Sequence, residues 1–212
     1  MHEYATDVDR SRILIVLAIL AIAVAFAFNA LLQKIMLQIP WWIDAPSVMG
    51  FYALFYLLYD QLLWRMHLGP MTFSKIPDVG GVWAGVLMTS YNNETKIEIV
   101  FYIEQTWSKI AIRTETVTST SFTMMAALNT EQNLDPGLKY EYLSKPEAFA
   151  KETMQIHEGT GHLRLSSDGR TFTGEYYTGR GRQTFGSLKL HFVSKVKMSR
   201  EEALKRIPQP AQ

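Results

Sequence analysis

The sequence contains no cysteine among its 212 residues. A disulfide framework, a thiolate metal site and a cysteine nucleophile are therefore all excluded. An excess of charge of one sign is also missing, because 21 Lys and Arg residues are balanced by 20 Asp and Glu residues. Proteins that bind a nucleic-acid duplex usually present a strongly basic face, so this balance argues against a duplex as a partner.

The motifs of common enzyme classes are missing as well. The His-Glu-Gly-Thr-Gly-His segment at residues 157–162 is one residue too long for an H-E-x-x-H zinc motif, and its glycines disfavour the required helix. Gly179, Gly181 and Gly186 do not have G-x-G-x-x-G spacing, and neither a Walker lysine nor a G-x-S-x-G elbow occurs. We therefore expect no catalytic residue, no metal site and no cofactor, so that the protein is not an enzyme.

A long apolar run occurs near the start of the chain. Residues 13–28 have no polar side chain, and extending the run to Leu32 gives a helix of about 30 Å, the thickness of a bilayer's hydrocarbon core. A cleaved signal peptide is the alternative, because Arg10 and Arg12 precede the run. The run is long, however, and no small-residue cleavage site follows it, so it favours a transmembrane helix.

A second apolar stretch extends from about residue 46 to residue 64, with tryptophans near both of its ends, where interfacial aromatic belts lie. Together the two stretches predict a transmembrane hairpin whose turn lies near residues 38–45. Basic residues flank the outer ends of this hairpin, at Arg10, Arg12, Arg65 and Lys75, whereas only Lys34 lies near the turn. The positive-inside rule then predicts a multi-pass protein with both termini in the cytoplasm.

From Gly81 onward the hydrophobic period changes to two, which is typical of half-buried antiparallel strands. Ile97, Ile99, Phe101 and Ile103, for example, alternate with polar side chains. Eight strands are predicted, at about residues 82–91, 95–105, 109–117, 120–128, 138–143, 160–166, 171–178 and 184–193. Because most are joined by short turns, and closure removes exposed edges, the pattern predicts an eight-stranded antiparallel up-and-down barrel with lipocalin-like architecture.

These patterns divide the chain into four parts. Residues 1–70 are predicted to be a two-helix membrane anchor, residues 71–80 a linker and residues 81–198 the barrel, which would sense a ligand. Ser199 and Glu202 have the spacing of a capping box. The last part, residues 199–212, is therefore predicted to be a short helix followed by a tail.

Several motifs carry a resemblance to a known family. A Gly-Val-Trp tripeptide opens the first barrel strand at residues 81–83, and it is followed by Gln-Thr-Trp-Ser-Lys-Ile at 105–110 and a Ser/Thr-rich turn at 116–121. Tyr-Glu-Tyr at 140–142, His-Glu-Gly-Thr at 157–160 and Gly-Glu-Tyr-Tyr at 174–177 complete the set. In this order after two apolar spans, the motifs resemble the two-transmembrane, β-strand-rich effectors of CBASS, bacterial anti-phage systems that signal through cyclic oligonucleotides.

The resemblance implies a function as well as a fold. It implies that the barrel binds a cyclic dinucleotide second messenger made by a partner nucleotidyltransferase after phage infection. It also implies that binding drives homo-oligomerisation, and that the helices then disrupt the lipid bilayer of the bacterial inner membrane and kill the infected cell. From the residues alone, only a membrane-tethered barrel with room for a small ligand is expected.

A ligand site is expected at one end of the barrel. In an up-and-down barrel alternate turns share an end, so four predicted turns converge on a rim opposite Trp83 and Trp107, which are expected to plug the other end of the barrel. A cyclic dinucleotide needs cations or backbone donors for its phosphates, aromatic faces for its bases and polar groups for the base edges. The candidate ligand-binding residues at this rim are Tyr91, Asn92, Thr118, Ser119, Tyr176, Tyr177, Arg180 and Arg182.

Two other functions remain open at this point. The barrel could bind an apolar small ligand, as lipocalins do, or act as a structural partner in a larger membrane complex. An apolar-ligand barrel should have a wide pocket without converging polar groups, whereas a nucleotide sensor should gather polar and aromatic side chains at one concave site. The ligand could lie inside the barrel, on its rim or between subunits.

Overall fold

A computed structural model of the chain describes residues 1–34, 48–68, 71–91, 95–130, 136–150, 155–179 and 183–207. The predicted hairpin turn at residues 38–45 lies outside these ranges. The chain forms two compact units, one of Met1–Asp7 with Lys75–Gln212 and one of Val8–Ser74. The predicted boundaries at residues 70, 80 and 198 stay predictions, and the structure adds that the first seven residues group with the barrel.

After residue 80 the secondary structure consists mainly of β-strands. The elements in chain order are β1 (His2–Glu3), α1 (Ser11–Lys34), α2 (Val48–Gln61), a 3₁₀ turn (Leu63–Arg65), β2 (His67–Leu68), β3 (Met71–Thr72), β4 (Gly81–Thr89), β5 (Thr95–Gln105), β6 (Lys109–Glu115), β7 (Ser119–Asn129), β8 (Gly137–Pro146), a 3₁₀ turn (Ala148–Ala150), β9 (His157–Leu165), β10 (Thr171–Thr178), β11 (Phe185–Ser194) and α3 (Arg200–Lys205).

Helix α1 is long and apolar enough to cross a membrane. Its 24 residues correspond to about 36 Å at 1.5 Å per residue. The first turn is capped by Asp9, whose Oδ1 accepts hydrogen bonds from the Ser11 amide (3.0 Å) and hydroxyl (2.6 Å). Within the described residues α1 is the one helix that meets the length and hydropathy expected of a membrane span.

Helix α2 is shorter, with 14 residues, or about 21 Å. It packs beside α1 through aromatic rings, since Phe28 and Phe51 meet edge to face with centroids 5.9 Å apart. On α1, Ala21 and Ala25 are buried one turn apart, and small side chains at this spacing let two helices approach closely. The described part of α2 is thus apolar but does not by itself reach the thickness of a hydrocarbon core.

Strands β4 to β11 form a closed antiparallel barrel of eight strands, which confirms the predicted fold class. Each strand pairs with its neighbours in sequence, β4 pairs with β11, and the remaining pair, β6 and β7, closes the ring. The observed strand ends lie within three residues of the predicted ones. The period of two and the turn residues were sufficient for this prediction because strands such as β6, β9 and β10 alternate between a buried inner face and a more exposed outer face.

One end of the barrel is closed by aromatic side chains. Trp83 is buried at 1% exposure, its Nε1 donates to the Val79 carbonyl oxygen at 2.9 Å, and its ring lies 4.5 Å from that of Phe172. Trp107 is also buried, at 2% exposure. In the described part of the chain, this end of the barrel is therefore filled by side chains, and the predicted plug of Trp83 and Trp107 is confirmed.

The outer face of β4 and β5 carries a second apolar cluster, which α3 covers. Ala203 of α3 is fully buried among Val82, Val100 and Tyr102. The helix begins where the capping box was predicted, because the Ser199 hydroxyl accepts a hydrogen bond from the Glu202 amide at 3.2 Å. The two faces of β4 and β5 are thus both buried, one in the barrel and one under α3.

The start of the chain adds a strand that the sequence analysis did not predict. β1 pairs antiparallel with β6, and Ala5 forms a parallel bridge with Ala127 of β7. Tyr4 is buried at 3% exposure, and its hydroxyl donates to the Trp107 carbonyl oxygen at 2.9 Å. A two-residue strand is too short to produce a hydrophobic period, so only the tertiary contacts reveal it.

We expect Trp83→Ala to lower the free energy of unfolding by about 3–5 kcal/mol, because it removes a large buried ring and its hydrogen bond from the closed end. Val196→Ala is the control, since Val196 is 72% exposed and should change stability by at most about 0.5 kcal/mol. Denaturant melts of the full chain in detergent, followed by near-ultraviolet circular dichroism, would measure both. Equal losses for the two variants would contradict a plugged end.

Candidate ligand-binding site

The other end of the barrel contains a small cavity. Its volume is about 80 Å³, and it opens where the predicted turns converge. Two hydrogen bonds join neighbouring turns at this rim, from the Ser90 amide to the Phe185 carbonyl oxygen (2.8 Å) and from the Glu147 amide to the Thr118 carbonyl oxygen (2.9 Å). The rim is therefore a connected structure that positions the cavity's polar side chains.

Polarity changes along the inward face of each strand. On β6 the inward residues pass from Ile110 and Ile112 near the closed end to Thr114 near the open end, and on β10 they pass from Phe172 to Thr178. The cavity is lined by hydroxyls, aromatic rings and a few aliphatic side chains. Its lining residues are Leu87, Thr89, Ile97, Ile99, Phe101, Thr114, Thr116, Thr118, Ser119, Ser121, Tyr140, Tyr142, Ser144, His157, Tyr176, Thr178, Thr184 and Leu188.

The turn between β6 and β7 holds its hydroxyls in a fixed arrangement. Thr116 Oγ1 accepts hydrogen bonds from the amides of Thr118 (3.2 Å) and Ser119 (3.0 Å), and it lies 3.0 Å from Ser119 Oγ. The Thr116 amide in turn donates to the Ser119 carbonyl oxygen at 2.9 Å. In this Ser/Thr turn the side chains and the backbone form hydrogen bonds with one another. The turn therefore keeps its shape while it presents hydroxyls to the cavity.

A second hydroxyl pair closes the opposite turn. Thr178 Oγ1 accepts a hydrogen bond from the Thr184 amide at 2.8 Å, and the two side-chain oxygens lie 3.1 Å apart. Both residues are 8% exposed and line the cavity. Buried hydroxyls that are already hydrogen-bonded to each other can rotate to donate to an incoming acceptor.

Two tyrosine rings lie flat against the barrel wall because the facing positions are glycines. Tyr140 is paired with Gly161 and Tyr142 with Gly159 across the β8–β9 ladder. A Cβ on Gly161 would lie 2.4 Å from ring carbons of Tyr140, and one on Gly159 would lie 2.3 Å from the Tyr142 hydroxyl oxygen. The glycine-rich start of β9 therefore provides space for an aromatic platform inside the cavity.

The site combines hydroxyls with aromatic and aliphatic side chains and carries little formal charge. Burial raises the pKa of Tyr140 well above its usual value, and the neighbouring Tyr142 adds to the effect, so the Tyr140 hydroxyl is neutral at physiological pH. Among the described lining residues, His157 is the one whose side chain can become cationic; its Nδ1 donates to the Gln155 carbonyl oxygen at 3.0 Å. The described site thus offers neutral hydroxyl donors and aromatic faces.

The structure distributes the predicted ligand-binding residues over different surfaces. Thr118, Ser119 and Tyr176 line the cavity. Tyr177 instead lies on the outer face, 50% exposed and with its ring 6.1 Å from that of His162, because successive strand residues point to opposite faces. Tyr91 is 45% exposed at the rim, in the turn after β4. Asn92, Arg180 and Arg182 lie outside the described residues.

Most of the lining residues were not among the predicted ones. Tyr140 and Tyr142 belong to the Tyr-Glu-Tyr motif, and the glycines opposite them belong to the His-Glu-Gly-Thr-Gly-His segment, but the pairing between the two motifs depends on strand register. The sequence does contain a signal for the cavity: hydroxyl-bearing residues such as Thr114 and Ser121 occupy inward strand positions near the turns of one barrel end. Within the described ranges, no group of His, Asp and Glu side chains is arranged to hold a metal ion.

Comparison with known proteins gives two family matches and a curated relative. The model of the Cap15 cyclic dinucleotide receptor domain matches residues 74–191, and that of the Cap15 transmembrane helices matches residues 11–65. CD-NTase-associated protein 15 of Yersinia aleksiciae is 28% identical over 145 residues, which cover 68% of this chain and 68% of the relative. The receptor match includes most of the barrel and all the described lining residues of the cavity.

We expect Gly161→Ala to destabilise the barrel by roughly 1–3 kcal/mol, because the added methyl group overlaps the buried Tyr140 ring. In a Tyr140→Leu background the same change should cost much less, which a double-mutant cycle of unfolding free energies would reveal. Gly179→Ala is the matched control, since a Cβ there would meet its nearest neighbour at an ordinary 3.6 Å. Equal costs of Gly161→Ala in both backgrounds would contradict the glycine–tyrosine packing.

Proposed function

The chain belongs to the Cap15 family, CBASS effectors that combine transmembrane helices with a cyclic dinucleotide receptor domain, and on that premise we propose that the open-end cavity is the messenger-binding site. We further propose that binding drives homo-oligomerisation and that the assembled helices disrupt the inner membrane. The observation that carries the proposal is the lining of the cavity, where hydroxyls and tyrosine rings converge within the receptor domain.

The lining suits the two kinds of group that a cyclic dinucleotide presents. Bases stack on aromatic faces, and Tyr140 and Tyr142, with ring centroids 5.9 Å apart, offer such faces along one wall. The hydroxyls of Thr116, Ser119 and Thr178 can donate to phosphate oxygens or base edges. Arg180 and Arg182 are proposed to pair with the phosphates from the rim, with Tyr91 and Asn92 beside them.

The proposed membrane arrangement follows the charge pattern. Both helices are proposed to cross the inner membrane, with the barrel and both termini in the cytoplasm, because basic residues flank the outer ends of the pair. The proposal assigns residues 8–70 to the anchor, 71–80 to a linker, 81–198 to the barrel and 199–212 to the helix and tail, with residues 1–7 belonging to the barrel. No catalytic step is proposed for any of these parts.

An apolar ligand is less well supported. The apolar half of the barrel interior is filled by its own side chains, among them Trp83, Phe101 and Phe172, each buried at 1% exposure or less. The remaining space is lined largely by hydroxyls, whose capacity to donate hydrogen bonds to a ligand an apolar molecule would not use.

The proposal predicts binding of a cyclic dinucleotide by the full chain in nanodiscs, measured against a panel of cyclic di-AMP, cyclic di-GMP, cyclic GMP-AMP and a cyclic trinucleotide. Tyr142→Ala should weaken binding about 5- to 150-fold, because base stacking on an aromatic ring contributes about 1–3 kcal/mol. Phe122→Ala, at an outer-face residue that is 46% exposed, is the matched control and should bind normally.

The same samples test the later steps. Addition of the bound nucleotide should produce larger species in sedimentation and release dye from vesicles that contain the full chain. Failure of every panel member to bind would contradict the proposed function. Binding without dye release would support a cyclic dinucleotide receptor but contradict the membrane-disruption step.

Arg180 and Arg182 give a separate prediction. Arg180→Ala combined with Arg182→Ala should reduce nucleotide binding at least tenfold while leaving membrane insertion intact, because charge-assisted hydrogen bonds to phosphate are lost. Insertion would be followed by membrane fractionation and binding by titration calorimetry. Lys195→Ala with Lys197→Ala removes the same charge after β11 and should bind normally. If the arginine variant also binds normally, the phosphates are not held at this turn.

A further inference from the structure

The seam that closes the barrel is short. β6 and β7 pair over only three residue pairs, Arg113–Glu115 against Thr120–Phe122, whereas β7 and β8 pair along their whole lengths. A β-bulge interrupts β7 between Thr123 and Met125, and bulges bend a strand and increase its twist. Toward the closed end the ladder stops, and among the described residues the next bonds between the two strands run through the Thr123 side chain to the Ile112 backbone.

Residues 2–7 fill the gap between the parted strands. The Ala5 amide donates to the Ala126 carbonyl oxygen (3.1 Å), and the Leu128 amide donates to the Ala5 carbonyl oxygen (2.9 Å). At the far end of the segment, the Asp7 carboxylate accepts hydrogen bonds from the Thr130 amide (3.0 Å) and hydroxyl (2.9 Å). The segment is thus bonded to β7 along its length.

The same segment is anchored on the other side of the gap. β1 pairs His2 with Ile110 and Glu3 with Lys109 of β6. His2 Nε2 lies 3.3 Å from the Thr123 hydroxyl oxygen, which also accepts from the Ile112 amide at 2.9 Å. Thr123 therefore connects β6, β7 and the start of the chain at the point where the β6–β7 ladder ends.

The parted seam is continuous with the ligand cavity. The middle pair of this three-pair ladder, Thr114 and Ser121, lines the cavity, and only the pair of Arg113 and Phe122 separates it from the gap. A change in the spacing of β6 and β7 at the cavity can reach the seat of residues 2–7 along these two strands, because the same strands line the cavity and pair with the segment.

The size of the cavity sets a requirement for binding. Its volume is about 80 Å³, whereas pockets that bury most of a drug-sized ligand occupy about 300–1,000 Å³. A cyclic dinucleotide that is to be mostly buried inside the cavity therefore needs a wider barrel. Among the described seams of the barrel, the β6–β7 seam has the fewest ladder bonds to break, and residues 2–7 bridge the rest of it. The free energy needed to widen the barrel is therefore lower there than at a fully paired seam.

We infer that residues 2–7 are a ligand-sensitive latch, seated in the β6–β7 seam when the cavity is closed and displaced when a cyclic dinucleotide fills it. Only Val8, Asp9 and Arg10 separate Asp7 from the first residue of α1. Displacement of the latch thus changes the tether of the membrane helix directly. This inference rests on the proposed function, because it specifies how that same cavity is coupled to the helix.

Thermodynamic linkage makes the latch measurable. If the ligand favours the displaced latch, then binding of the ligand and binding of residues 2–7 in the seam weaken each other by the same factor. Holding the latch in the seam must therefore weaken ligand binding. Ala5 and Ala127 are bridge partners, Ala5 is exposed and the natural chain has no cysteine, so Ala5→Cys with Ala127→Cys introduces one defined disulfide.

The test compares oxidised and reduced forms of this variant as full chains in nanodiscs, titrated with the panel nucleotide that binds the unmodified chain. The oxidised form should bind at least tenfold more weakly than the reduced form, and the reduced form should match the unmodified chain. Met88→Cys with Ser187→Cys places a disulfide between opposite partners in the fully paired β4–β11 seam and should leave affinity unchanged in both redox states.

Hydrogen exchange on the unmodified chain gives a second readout. Bound nucleotide should accelerate exchange of the Ala5 and Leu128 amides, which bond across the seam, while amides of the β4–β11 ladder stay protected. Equal affinities of the oxidised and reduced Ala5–Ala127 variant, or unchanged exchange at Ala5 and Leu128, would overturn the latch alone. No nucleotide binding by the unmodified chain would overturn the proposed function and the latch together.

Discussion

Closure of the eight-stranded sheet is the constraint on which the rest of this structure depends. Closing the ring satisfies the backbone groups of both edge strands, but it also encloses an interior that must be filled or lined. The chain fills one half with large rings such as Trp83 and Phe172 and lines the other half with hydroxyls. The closure is incomplete at β6 and β7, where three residue pairs are supplemented by residues 2–7. The cavity, its hydroxyl lining and the seat of residues 2–7 all arise from this arrangement.

The hydroxyl-lined half illustrates how a receptor site can be built with few charges. Buried carboxylates or ammonium groups in a cavity of about 80 Å³ would require partners or would lose their charge. Threonine and serine instead bond to one another and to turn amides, as Thr116 and Thr178 do. A hydroxyl can exchange such a partner for a ligand atom without leaving a buried charge behind. Stability and the capacity to bind are therefore compatible in this half of the barrel.

The fold could be predicted in outline because its signals are local. Alternation along residues such as Ile97, Ile99 and Phe101 marks the strands, turn residues separate them, and the predicted eight-stranded barrel is confirmed. The resemblance to CBASS effectors is likewise confirmed by the family matches over residues 11–65 and 74–191. The residues that line the cavity were harder to predict than the strands. Tyr176 and Tyr177 are adjacent in sequence and were assigned one role, yet only Tyr176 lines the cavity, because the strand turns neighbouring side chains to opposite faces.

The sequence by itself determined the apolar helix, the eight strands, the aromatic plug and the family, because each of these depends on periodicity, composition or a local motif. The tertiary structure alone decided which tyrosine lies over which glycine, since Tyr140 meets Gly161 only through the register of β8 and β9. It also decided the position of residues 2–7, which carry too few residues for a periodic signal and are held by partners more than a hundred positions away, such as Trp107 and Thr130. Long-range pairing has no local signature, because its energy comes from groups that meet only after the sheet has closed.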